Sequence, residues 1–181
     1  MFHEKKELID WANNLKFPFT HYIVAQTNFR PFNRTNYSIA NVRRELSKDL
    51  HHTFNKLSRT LNKELKNCSL KRLSPYMPGR LVSIESLSPN LTKQHTTHFN
   101  ILIGNINRTI STENLIGEFR NLWVSTKYGV EDCYIQKLDQ RQNIYSYIFK
   151  EDTGTSKFYD TDFSSLDTNS SWIPENPAFV Y

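Results

Sequence analysis

The chain has 181 residues, of which 38% are hydrophobic and 13% aromatic, and it carries a formal net charge of +5. This length fits a single domain that can bury a sizeable core. The sequence has no apolar run long enough to span a membrane, and its charged N-terminal stretch lacks the apolar segment of a secretory signal. With only two cysteines and no CxxC pair, we expect a reducing compartment, either the cytoplasm or a nucleus.

The positive charge is concentrated in the first half of the chain. Residues 1–80 carry 15 Lys and Arg against 6 Asp and Glu, whereas residues 81–181 carry 8 against 12. A basic half of this kind suggests a polyanionic partner, with nucleic acid ahead of a membrane because no apolar anchor accompanies it. An ordinary solvated basic face explains the charge alone equally well.

Helix-like and strand-like periodicities alternate along the chain. Apolar residues at steps of three and four predict helices, and runs that alternate or are rich in β-branched and aromatic residues predict strands. The predicted elements, in order, are a helix over 4–15, a strand over 20–29, a long helix over 39–66, strands over 80–86 and 97–103, a helix over 112–125, a strand over 131–138, and a helix or strand over 141–150. Two successive strand-helix-strand units predict an α+β, ferredoxin-like split βαβ fold with a central antiparallel sheet and helices packed on it.

A candidate metal site lies on two of these strands. Side chains alternate across a strand, so His98 and Asn100 share one face while Phe99 points to the other. If the preceding strand is an antiparallel neighbour, Glu85 lies across from His98. A carboxylate, an imidazole and an amide oxygen are ligands suited to Mg²⁺ or Mn²⁺.

A candidate nucleophile follows these residues in the sequence. Tyr147 and Lys150 lie one helical turn apart, on the same face of a predicted helix. A tyrosine hydroxyl is a weak nucleophile that needs activation by a metal or a nearby cation. A structural histidine, a solvated carboxylate and a chance Tyr-x-x-Lys are the plainer interpretations of each motif taken alone.

In this order the motifs resemble those of the HUH replication-initiator endonucleases, the Rep proteins of rolling-circle plasmids, filamentous phages and small single-stranded DNA viruses. The first motif of that family is an apolar strand that ends in a polar stretch, and residues 23–28, which end in Thr27 and Asn28, resemble it. The second is His98-Phe99-Asn100 with the upstream acid Glu85, and the third is Tyr147-Ile148-Phe149-Lys150. The resemblance covers roughly residues 20–152.

The resemblance implies a metal-dependent nuclease that nicks and rejoins single-stranded DNA at a replication origin. Tyr147 would form a 5′-phosphotyrosine link and Lys150 would stabilise the phosphate or phenolate, while Glu85, His98 and Asn100 would hold one Mg²⁺ or Mn²⁺. Asn100 stands where many relatives have a second His. This leaves open a degenerate, non-catalytic Rep-like protein that only binds nucleic acid.

Further expectations concern the DNA contacts and the chain ends. The residues expected to contact DNA are Thr27, Asn28, Arg30, Arg34, Arg43 and Arg44. No Walker A motif is present, so we expect unwinding to depend on a host helicase. Residues 1–152 are predicted to form the endonuclease domain, with its core over 20–152, and residues 153–181 a C-terminal extension, either an ordered loop or partly flexible.

Overall fold

The computed structural model describes residues 5–30, 36–85, 96–139, 144–149 and 166–179. Its four strands are β1 (Phe19–Thr27), β2 (Gly79–Glu85), β3 (His98–Gly104) and β4 (Gly129–Lys137). Its helices are α1 (Lys5–Asn14), α2 (Asn36–Leu61), α3 (Leu70–Leu73), α4 (Thr112–Val124) and α5 (Ile144–Ile148). Each predicted helix and strand has a counterpart in the structure, although α2 ends earlier than predicted, and the segment left open between helix and strand contains the short helix α5.

The strands form one antiparallel sheet in the order β2-β3-β1-β4. Helix α2 connects β1 to β2, and helix α4 connects β3 to β4. In both connections one strand lies between the two that the helix joins. The fold is therefore α+β, with a four-stranded antiparallel sheet and helices packed on it.

One face of the sheet forms the main hydrophobic core with α2 and α4. Strand alternation turns Ile23, Ile101 and Val82 to this face. They pack with Leu50 of α2 and Phe119 of α4 in one buried cluster. The repeat of apolar residues along α2 thus serves to cover the sheet.

The opposite face of the sheet is covered only in part by described residues. Tyr22, Leu81 and Leu102 pack there with residues of α1 and α5 in a second, smaller cluster. The backbone carbonyl of Ile148 accepts a hydrogen bond from Ser83 Oγ at 2.5 Å, which anchors α5 to β2.

Helix α2 ends five residues before the sequence pattern predicts. Asn62 leaves the helical conformation at φ −119° and ψ 69°, and Lys63–Leu65 form a separate 3-10 turn. An asparagine competes for backbone hydrogen bonds and so disfavours helix interiors. The apolar periodicity continues past this position because Leu65 follows Leu61 at a step of four, but Leu65 lies in the 3-10 turn and is only half-buried.

The C-terminal segment runs along the outer edge of β2. Isolated antiparallel bridges join Arg80 to Trp172 and Ser83 to Leu166. Of the predicted extension, residues 166–179 are therefore an ordered segment that covers an otherwise open sheet edge; residues 153–165, 180 and 181 lie outside the described residues. Among the helices of the described residues, none is long and apolar enough to cross a membrane.

A buried arginine holds this segment in place. Arg80 is 0% exposed and donates from Nε to the carbonyl of Ser170 at 2.5 Å. Its guanidinium lies 4.9 Å from the centre of the Phe54 ring, and its second amino group contacts His51 Nδ1 at 3.1 Å. Burial lowers the pKa of Arg80 to about 10, so the group stays charged at neutral pH.

We expect Arg80→Met to lower the free energy of unfolding by about 2–4 kcal/mol, because buried acceptors lose a charged donor. Urea unfolding followed by circular dichroism measures this change. The matched control is Arg72→Met on the exposed side of α3, which should stay within about 0.5 kcal/mol of the wild type. Equal effects of the two substitutions would contradict the clamping role of Arg80.

His51 should make the stability depend on pH. Burial, followed by the charges of Arg80 and His52, lowers the pKa of His51, and Nδ1 must stay unprotonated to accept from Arg80. The unfolded chain then binds the proton at higher pH than the folded one. This contribution to stability is complete above the ordinary histidine pKa of about 6.5 and is lost as the pH falls through the lowered value.

His51→Asn keeps an acceptor near the position of Nδ1 but does not titrate. Between pH 7.5 and pH 5 we expect the wild type to lose more unfolding free energy than the variant, as measured by urea unfolding. Burial also lowers the pKa of His21. Because His21 is present in both proteins, its effect on stability cancels in the comparison. Parallel pH curves would refute the role of His51.

Candidate functional site

The register of β2 on β3 brings the acid and the histidine of the candidate metal site together. Glu85 is the direct cross-strand partner of His98. The distance from His98 Nε2 to Glu85 Oε2 is 2.9 Å, and the two side chains are 20% and 1% exposed. The pair therefore forms a partly shielded nitrogen and oxygen donor set on the sheet face opposite α2 and α4.

Both ring nitrogens of His98 face hydrogen-bond acceptors. Nδ1 lies 3.5 Å from the carbonyl oxygen of Thr96, while Nε2 faces the Glu85 carboxylate. A neutral ring has one proton and can satisfy only one of these acceptors, whereas the imidazolium satisfies both. A metal cation bound by Nε2 and the carboxylate would take the place of the second proton.

The spacing of the two donor atoms fits a divalent ion. An octahedral Mg²⁺ holds its ligands at about 2.0–2.1 Å, so adjacent ligand atoms lie about 3 Å apart. The distance of 2.9 Å between Nε2 and Oε2 matches this spacing. No group of three His, Cys, Asp or Glu that could hold a metal occurs among the described residues, so further ligands would have to be amide, hydroxyl or water oxygens.

Asn100, the third predicted ligand, is oriented by a tyrosine. Asn100 is 1% exposed, and its Oδ1 accepts a short hydrogen bond from the Tyr22 hydroxyl. Within the described part of the chain, its Nδ2 has no hydrogen-bond partner. The amide oxygen of Asn100 is thus engaged by Tyr22, and the atom without a partner is the amide nitrogen, which is a donor. Asn100 therefore fits a metal less well than Glu85 and His98 do.

Tyr22 joins this group to the candidate nucleophile. Its ring centre lies 5.8 Å from that of Tyr147, with the planes at 85°. Burial, followed by the nearby Tyr147 and Glu85 side chains, raises the pKa of Tyr22. Its hydroxyl therefore stays protonated and acts as a fixed donor to Asn100.

Tyr147 is placed on the same side of the sheet as His98 but remains open to solvent. It lies on α5 and is 49% exposed. Its neighbours Ile148 and Phe149 are buried, and Ser83 holds the carbonyl of Ile148. The backbone of α5 thus fixes the ring position while about half of the side chain stays accessible. Lys150, its predicted partner, lies outside the described residues.

A second exposed tyrosine borders the site. Tyr134 on β4 pairs with Val24 of β1 and is 52% exposed. Its hydroxyl donates to Gln136 at 2.6 Å. Sequence reasoning missed Tyr22 and Tyr134, although alternation along β1 and β4 puts them on the face opposite Ile23 and Ile135; the missing information was that β1 lies between β3 and β4.

The residues expected to contact DNA lie in three different places. Thr27 is 2% exposed, and its hydroxyl donates to the carbonyl of Thr97 at 2.6 Å, so its side chain closes the end of β1. Asn28 and Arg30 are exposed just beyond it. Arg43 and Arg44 lie on α2, which packs on the other face of the sheet, and Arg34 is outside the described residues.

Comparisons with known proteins give no relative for this chain. No protein-family model, no curated protein and no solved structure matches it.

We expect Tyr22→Phe to lower the free energy of unfolding by about 1–3 kcal/mol, because Asn100 would keep a buried carbonyl with no donor. Urea unfolding measures the change. Tyr134→Phe removes a hydroxyl from an exposed tyrosine and serves as the control, with an expected change within about 0.5 kcal/mol. A Tyr22→Phe protein as stable as the control would show that the hydroxyl does not orient Asn100.

Proposed function

We propose that this protein nicks and rejoins single-stranded DNA, with Tyr147 as the nucleophile and a divalent metal as the cofactor, and that it initiates rolling-circle replication of a plasmid or phage. The observation that carries the proposal is that Tyr147 is half exposed on the same sheet face as the Glu85–His98 pair. Tyr22 and Asn100 connect the two. Glu85, His98 and Tyr147, which are distant in sequence, thus lie on one side of the sheet.

The sheet order supports the ferredoxin-like assignment that the motif resemblance implies. Two strand-helix-strand units, each with another strand inserted between its own two, characterise the split βαβ arrangement. The order β2-β3-β1-β4 with α2 and α4 as the connecting helices is consistent with it. A shared fold alone does not imply a shared activity, so the weight of the proposal rests on the site.

The proposed cofactor is one Mg²⁺ or Mn²⁺. Glu85 and His98 would hold it, and the amide of Asn100 would complete the set through its oxygen or through a bound water. The carboxylate and amide oxygens favour these ions, whereas the imidazole nitrogen of His98 is a donor that other transition metals also bind. When bound, the metal would polarise the scissile phosphodiester and stabilise charge on its oxygens.

Tyr147 is the better nucleophile of the two neighbouring tyrosines. Tyr22 is 4% exposed, its pKa is raised and its proton is engaged with Asn100. The Tyr147 oxygen can instead reach a phosphate from solvent. Its attack would form a tyrosine–phosphorus bond and break the bond from phosphorus to the 3′ oxygen, which takes up a proton as the phenol loses one. Rejoining is the reverse reaction, and Lys150 is proposed to stabilise the charge on the phosphate.

An unpaired strand suits the exposed rings of the site. Aromatic side chains provide stacking platforms for bases that are free of a duplex. Tyr134 and Tyr147 are 52% and 49% exposed on this side of the sheet. We propose that a single strand crosses this face, with the scissile phosphate between Tyr147 and the Glu85–His98 pair.

A Rep-like protein that binds DNA without cutting it is the second candidate. The observation that favours it is that Asn100 Oδ1 accepts a hydrogen bond from the Tyr22 hydroxyl. Only Glu85 and His98 of the three predicted ligands are then well placed for a metal, which would weaken its binding. Binding of a single strand without any metal-dependent cleavage of it would support this candidate over the first.

We expect Tyr147→Phe to abolish covalent capture of a single-stranded oligonucleotide in the presence of Mn²⁺ and to change its binding affinity by less than about threefold, because one hydroxyl supplies the covalent bond. A denaturing gel detects the adduct, and fluorescence anisotropy measures binding. Tyr145→Phe is the matched control two residues away and should keep full capture. Capture that survives Tyr147→Phe would refute the assignment of the nucleophile.

A further inference from the structure

The net positive charge of the protein lies on one layer of the fold. Residues 36–73, which span α2 to α3, contain nine Lys and Arg against three Asp and Glu. Their net charge of +6 exceeds the +5 of the whole chain. The remaining residues together therefore carry a net charge of −1.

On α2 this charge forms a regular row. Arg44, Lys48, His52 and Lys56 are all exposed and follow one another at four-residue steps, which places them along one side of the helix about 6 Å apart. The apolar residues of α2 face the sheet, so the row faces away from it. At 26 residues, α2 is about 39 Å long.

The segment after α2 continues the same surface. Arg59 donates from its guanidinium to the carbonyls of Lys66 and Cys68, at 2.7 and 3.0 Å, which folds this segment back against the outward side of α2. Glu45 on the same side is paired with Lys127 at 2.9 Å, which reduces the negative charge there. We call this the α2–α3 surface; its exposed basic side chains include Arg44, Lys48, Lys56, Lys63, Lys66 and Lys71.

The described side chains of the α2–α3 surface include few groups suited to stacking on unpaired bases or to entering a lipid bilayer. Between residues 41 and 73, where side chains are described, no Phe, Tyr or Trp ring is exposed. The exposed rings there are the imidazoles of His51 and His52, and Leu70 is the one large exposed apolar side chain. Stacking platforms for single strands and apolar faces for membranes are therefore scarce there. What is left is a straight row of cations, which matches the dense, regular phosphates of a duplex.

We propose that the α2–α3 surface binds the phosphate backbone of a nucleic-acid duplex, on the side of the sheet opposite the candidate site. Tyrosines border that site and no basic row accompanies them among the described residues. On the α2–α3 surface, the described side chains are cations without an exposed Phe, Tyr or Trp ring. Paired and unpaired nucleic acid would therefore bind to different faces of one protein. The inference holds whether or not Tyr147 cleaves DNA.

The test compares two variants of the full chain that lose the same charge. The surface variant is Lys48→Gln/Lys56→Gln/Lys66→Gln. The control variant is Lys6→Gln/Lys16→Gln/Lys137→Gln, in which all three lysines are exposed outside the α2–α3 surface. Affinity for a 20-base-pair duplex and for a 20-nucleotide single strand is measured by fluorescence anisotropy at several salt concentrations.

We expect the surface variant to bind the duplex about 10- to 100-fold more weakly and to lower the slope of log affinity against log salt by about 2–3, since each lost phosphate contact removes about 0.9 from the slope. The control variant should bind the duplex within about twofold of the wild type, and both should retain their single-strand affinity. Equal weakening by the two variants would overturn the proposal, because net charge alone would then explain binding.

Two other outcomes would also overturn the proposal. One is a loss of single-strand binding in the surface variant equal to its loss of duplex binding, since both forms would then share the α2–α3 surface. The other is wild-type binding to vesicles with 30% anionic lipid but not to the duplex. Circular dichroism and urea unfolding of both variants test whether folding is unchanged. We expect that it is, because all six lysines are exposed.

Discussion

The candidate site depends on the register between β2 and β3. Side chains alternate between the two faces of a sheet, so a slip of one residue would turn Glu85 from His98 toward the main core. That slip would also expel Val82 and Ile84, which are 0% and 1% exposed, from beneath α2 and α4. The apolar residues that fill the core therefore also fix the position of the carboxylate against the imidazole.

A polar network within a mostly apolar layer links this pair to Tyr147. Ser83, Asn100 and Tyr22 are at most 4% exposed, and each bonds to a specific neighbour. Ser83 holds the carbonyl of Ile148, and Tyr22 holds the amide of Asn100. A buried polar group is costly when its partner is missing, so these contacts favour one position of α5 over others. The ring of Tyr147 is thus located by groups beneath it, while 49% of the side chain stays exposed.

The sequence predicted this layer in part. Periodicity located each helix and strand, and a short connection between two strands was enough to expect Glu85 beside His98. It did not predict the central place of β1, because strand order depends on contacts between distant segments, and so Tyr22 and Tyr134 were missed. The same reason applies to Arg80, whose partner Ser170 is 90 residues away. Nor can a local pattern indicate that the oxygen of Asn100 is taken by Tyr22, since this follows only from the packed arrangement.

If both proposals hold, the two faces of the sheet would bind nucleic acid through interactions of different range. Helices pack about 10 Å from the layer they cover, and the basic row faces away from the sheet. The Debye length at 0.1 M salt is also about 10 Å, so the charges of the α2–α3 surface are largely screened at the Glu85–His98 pair. They can attract a duplex to their own face but contribute little to holding a strand at Tyr147. Under the proposed function, affinity at the candidate site would then come from short-range terms, namely the stacking of bases on exposed tyrosines and the binding of phosphate oxygens to a metal.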